Sequence, residues 1–101
     1  MTVAVMWEAR AADGRGAELA AWVRESALPA VRGAAGLKRL ELLSAPGSRP
    51  ADDRERVLLI TWWSGEPVPV ADPPAELIGR PVHRWSFTSE HVERPDGGAA
   101  A

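Results

Sequence analysis

The stretch Arg56-Val57-Leu58-Leu59-Ile60-Thr61-Trp62-Trp63 constrains the fold more than any other in this chain. Read as a strand, it places Val57, Leu59, Thr61 and Trp63 on one face and Leu58, Ile60 and Trp62 on the other. Both faces are largely apolar, so the strand belongs in the middle of a sheet with material above and below it. The chain has 101 residues and one clear long helical pattern. A single helical layer covers one face of a sheet. A second copy of the chain is the economical cover for the other.

The remaining elements follow from periodicity and breakers. Thr2 to Ala9 reads as a first strand, with Val3, Val5 and Trp7 on one side and Ala4, Met6 and Glu8 on the other. Asp13-Gly14-Arg15-Gly16 turns the chain. From Gly16 to about Arg32 the period becomes helical, carried by Leu19, Trp22, Val23, Ala27 and Val31. Pro29 cannot donate to the carbonyl of Glu25, which predicts a kink or early end, and Gly33 and Gly36 close the helix. Leu37 to Leu43 is a second strand with Leu40 and Leu42 on one face. Its other face carries Arg39 and Glu41, which suits an edge. Ser44 to Glu55 reads as a solvent loop. After the central strand, four prolines at 67, 69, 73 and 74 impose an extended or irregular path. Pro74 to Ile78 allows one short helical turn, with Asp72 as its cap and Pro73 as its first residue. Val82 to Thr88 is a fourth strand, with His83, Trp85 and Phe87 on its apolar face.

The order is β-α-β-β-(short α)-β. Strands one and three are apolar on two faces, strands two and four on one. That division predicts an α+β, ferredoxin-like, four-stranded antiparallel sheet in the order 4-1-3-2. Residues 1–93 make a single domain and 94–101 a flexible C-terminal tail.

Apolar residues make up 46% and charged residues 26%, as in ordinary globular chains. A net charge of −2 supplies no electrostatic footprint for nucleic acid or an anionic membrane. With no cysteine, disulfides, thiolate metal sites and cysteine nucleophiles are excluded together. No leader-like or membrane-spanning apolar run is present, so the expected location is the cytoplasm. Two histidines give no ligand spacing, and no metal or cofactor is expected. Asp52-Asp53 lies among Arg49, Arg54 and Arg56, where local ion pairing accounts for it. Gly14-Arg15-Gly16 lacks the lysine and longer glycine pattern of a phosphate loop. Ser26, Ser64 and Ser86 sit in no nucleophile elbow.

The aromatic set is unusual: five tryptophans, one phenylalanine and no tyrosine. Indoles serve as core or as the walls of a flat apolar slot. Trp7, Trp22, Trp62, Trp63 and Trp85 are the candidate ligand-binding residues. His83, placed among aromatics, is the candidate general base, against the commoner packing role of such a histidine. His91, near the chain end, is expected in solvent.

Three segments carry a family resemblance. They are the Trp-bearing first strand, Ala27-Leu28-Pro29-Ala30-Val31 before Ala35-Gly36-Leu37, and Trp63-Ser64-Gly65-Glu66 closing strand three. In these the chain resembles the dimeric α/β-barrel superfamily and its antibiotic-biosynthesis-monooxygenase-like domains, over about residues 2 to 90. The resemblance implies two sheets meeting face to face in a homodimer, with a pocket between helices and sheet in each subunit. It further implies a hydrophobic, aromatic metabolite as ligand, oxidised without metal or flavin if the protein is an enzyme. In such an oxygenase His83 is the base available, and Arg84, on the opposite face, or an indole N–H the partner of the substrate anion. The scaffold also hosts non-catalytic small-molecule-binding or accessory dimers, and this reading stays open beside the first. The haem-degrading branch carries an asparagine on strand one and a histidine on the second helix. This chain has no asparagine, and its second helix gives way to prolines.

Overall fold

The computed structural model describes residues 1–46 and 55–95. Four strands, β1 (Val3–Arg10), β2 (Leu37–Ala45), β3 (Arg56–Trp63) and β4 (His83–Thr88), form one sheet in the order β2-β3-β1-β4. Every neighbouring pair is antiparallel. This is the expected ferredoxin-like sheet, with β1 and β3 central and β2 and β4 at the edges. The proposed ion pairing around Asp52 and Asp53, and the tail beyond residue 95, lie outside the described residues.

The helical layer runs from Gly16 to Val31 as α1 (Gly16–Trp22), a π segment (Val23–Ala27) and α2 (Leu28–Val31). The π segment is the physical answer to Pro29. Proline has no N–H, and its ring crowds the carbonyl four residues back. The amide of Leu28 instead bonds the carbonyl of Val23, five residues back, and the helix continues through the wider turn. Gly33 and Gly36 end the layer with φ of 83° and 88°, values that a side chain resists. At the other end Arg15 donates to Glu18 at 2.8 and 2.9 Å. This bond lowers the Glu18 carboxyl below its ordinary pKa and raises that of Arg15.

One core lies between this layer and the sheet. Leu19, Val23, Ala27, Leu28 and Val31 meet Trp7, Ala9, Val57, Leu59 and Trp63, all buried. Leu37, Leu40 and Leu42 of β2 pack against them. A register shift between Leu37 and Arg39 turns Leu37 to the side of Leu40 and Leu42, which strict alternation forbids.

Between β3 and β4 the proline-rich chain crosses the helix-covered side of the sheet. Its short helical turn is a 3-10 turn, Ala75–Leu77, with Pro74 at its N-cap and no side-chain cap. The expected cap does not form: the turn starts two residues late for Asp72, whose carboxylate instead accepts from Arg84 at 2.7 Å. No described helix is long and apolar enough to cross a membrane.

The far face of the sheet has no cover within the described chain. Met6, Leu58, Ile60 and Trp62 lie half-buried there beside Trp85 and Phe87, which are 42% and 51% exposed. Arg39 lies over the Trp62 ring at 4.7 Å from its centre, a partial lid with its charge on the aromatic face.

Candidate functional site

Strand alternation divides the candidate residues between two faces. On the helix side, Trp7 of β1 stacks on Trp22 of α1, ring centres 6.2 Å apart at 23°. Trp63 of β3 is buried nearby and donates from Nε1 to Thr61 Oγ1 at 2.8 Å. Trp62 and Trp85 lie on the open face, paired with Ala4 and Met6 of β1. The five indoles therefore do not enclose a single cavity.

His83 also lies on the open face. It is about half exposed, edge-on to Trp85 with ring centres 5.6 Å apart, and its Nδ1 is 3.8 Å from Glu8 Oε1. Glu8 is the hub of a charged cluster here. Its carboxylate bonds Arg80 and lies 3.9 Å from Arg56. A shallow depression of about 290 Å³ adjoins it, lined by Glu8, Leu43, Ser44, Ala45, Arg56 and Leu58. His91 is exposed, 3.6 Å from Glu93. Among the described residues no three His, Cys, Asp or Glu side chains gather as a metal ion requires.

On the helix side a groove of about 320 Å³ opens beneath the proline-rich segment. Val5 and Trp7 of β1 form its floor with Arg84 and Ser86 of β4, and residues 66 to 70 form its roof. The floor follows from the register, since Val5 faces Ser86 and Trp7 faces Arg84 across the β1–β4 pair. The roof is Glu66-Pro67-Val68-Pro69-Val70. Prolines remove backbone donors and hold this segment extended. It is tied at its start by the Ser64 amide on the Gly36 carbonyl, and after it by Ala12 and Gly79 bonds around the 3-10 turn. Between those ends Val70 packs into the core, and the described hydrogen bonds to the sheet come from one guanidinium. Arg84 Nη2 donates to the Val70 carbonyl at 2.8 Å and to Asp72 Oδ1 at 2.7 Å.

Trp7 adds a further feature. It is 1% exposed, and its Nε1 is the described buried side-chain polar atom with no hydrogen-bond partner. Buried donors are nearly always paired, and an orphan costs about 1–3 kcal/mol. Trp63, its neighbour in the core, has Thr61 as an acceptor; Trp7 has none.

Of the sequence candidates, then, the structure brings Trp7 and Arg84 to the groove lining, with Trp22 stacked behind Trp7. The roof was missed because a proline-rich run reads as connection. Its signal was Val70, an apolar residue inside that run, which is buried in the core while Val68 stays exposed.

No family model matches the sequence, and no curated protein matches it. Among solved structures the chain is similar to the "Structure of Rv0793 from Mycobacterium tuberculosis", with a TM-score of 0.65 and 16% identity. The match covers 93% of this chain and all of that one. At this identity the likeness is one of fold.

Proposed function

We propose that this protein is a small-molecule-binding homodimer of the antibiotic-biosynthesis-monooxygenase-like kind, taking a hydrophobic, aromatic ligand in the groove beneath residues 66–70. The groove itself carries the reading. At about 320 Å³ it reaches the lower range of small-molecule sites, roughly 300–1,000 Å³, with apolar walls and few polar groups. A purely structural tryptophan cluster fills its own space.

Binding is favoured over cofactor-free oxygenation by the placement of bases. A general base must come within hydrogen-bond reach of its substrate. His83 lies across the sheet from the groove, and the one carboxylate of the described lining, Glu66, is exposed at its rim. In the dimer the open faces of two sheets cover each other, which removes Trp85 and Phe87 from water.

Titration with 2-acetylnaphthalene, a flat neutral arene, tests the site by amide NMR. The expected result is shifts centred on Val5, Val68 and Ser86. Ser86→Phe, a substitution on an exposed edge strand, fills the groove and weakens binding at least about tenfold, a loss of ~1.4 kcal/mol. Shifts confined to the open face, or none, would sink the proposal.

A further inference from the structure

Arg84 joins the groove to its roof, and its bonding is lopsided. Both of its hydrogen bonds leave from Nη2, to the Val70 carbonyl and the Asp72 carboxylate. A guanidinium has five N–H donors in a planar fork matched to a carboxylate. Nε and Nη1 make no hydrogen bond to a described residue. The Asp72 side chain is 68% exposed and that of Arg84 43%. Ion pairs this open to water are weak. Asp72 is therefore a poor permanent partner for a cation that forms part of an apolar cleft.

We propose that the groove takes an apolar organic acid, whose carboxylate displaces Asp72 from Arg84 while its ring system lies on Val5 and Trp7. This rests on the ligand-binding reading above and names the chemical class of the ligand. The ligand's apolar contacts with the groove offset the advantage that Asp72 has as part of the chain, and a body already held there brings its acid to Arg84 without a second loss of translational freedom. The covered side of the cleft also screens the pair less than open solvent screens Asp72. Ser86, two residues from Arg84 on the same face, adds a hydroxyl beside the acid. Glu66 lines the groove as well and opposes an anion. It is exposed at the rim, where salt and water screen it. Arg84 thus acts as the specificity residue and Asp72 as the internal mimic that holds the roof closed over an empty site.

Two probes of one shape measure this: 2-naphthoate and the neutral 2-acetylnaphthalene, with the ratio of their affinities as readout. If Arg84 were only a structural clasp, Arg84→Gln and Asp72→Asn would loosen the roof alike and move both probes together. The proposal requires opposite movements of the ratio. Arg84→Gln lowers the preference for the acid about tenfold, and Asp72→Asn, which removes the competitor, raises it about threefold or more. Absence of either shift, or shifts of the same sign, overturns the proposal while leaving the groove as a site for neutral ligands. If neither probe binds the unmodified protein, the ligand-binding reading fails and this one with it.

Discussion

Thr61 and Trp63 stand two residues apart on the buried face of β3, and their side chains satisfy each other through a 2.8 Å hydrogen bond. Thr61 is the buried polar residue of the described core. Thr61→Val keeps the volume and strands the Trp63 N–H, so urea unfolding should show a loss of about 1–3 kcal/mol. Trp63→Ala removes a fully buried indole and should cost about 3–5 kcal/mol. A loss under ~1 kcal/mol for the alanine variant would mean that the ring lines open space instead of packing in the core. The type and face of both residues could be read from alternation in β3. Their mutual bond could not, because it depends on rotamers set by the helix above them.

At the scale of elements, the C-terminal end of the helical layer is governed by backbone chemistry. Gly36 has a φ of 88°, and a Cβ there would meet Ser64 Oγ at 3.5 Å and the Gly65 amide at 3.6 Å, ordinary contact distances. Space is therefore not the obstacle; the left-handed backbone is. Gly36→Ala should destabilise by about 1–2 kcal/mol in chemical denaturation. An effect near zero would show that the turn before β2 relaxes freely. Pro29 announced a disturbed helix in the sequence, and the π segment is its observed form. The proline-rich crossing between β3 and β4 was legible as irregular chain. Its role as a roof was not, because Arg84 and its acceptors Val70 and Asp72 lie 14 and 12 residues apart.

For the whole molecule, the open face sets the expectation. Trp85 and Phe87 stand among half-buried Met6, Leu58, Ile60 and Trp62 on a sheet face with no covering layer among the described residues. An apolar patch of this kind marks an interface. Sedimentation should find a dimer at micromolar concentration, and Trp62→Asp together with Phe87→Asp should yield monomer. A stable, folded wild-type monomer at that concentration would overturn the homodimer. The Glu8, Arg80, Arg56 and His83 cluster lies at one end of the same face and gives such an interface a polar margin.

The chain's own pattern determined the strands, their order and which two lie in the middle. Those properties follow from side-chain alternation and from breakers acting over a few residues, and β3 shows the alternation across eight positions. Which aromatics share a space was decided by tertiary structure. Alternation already parted Trp62 from Trp63, but Trp7 meets Trp22 only because the helix folds back over β1. The groove belongs to the same class of fact. It arises where an edge strand, a central strand and a proline-rich crossing meet, and distances across such a junction are set by packing, which no local period encodes.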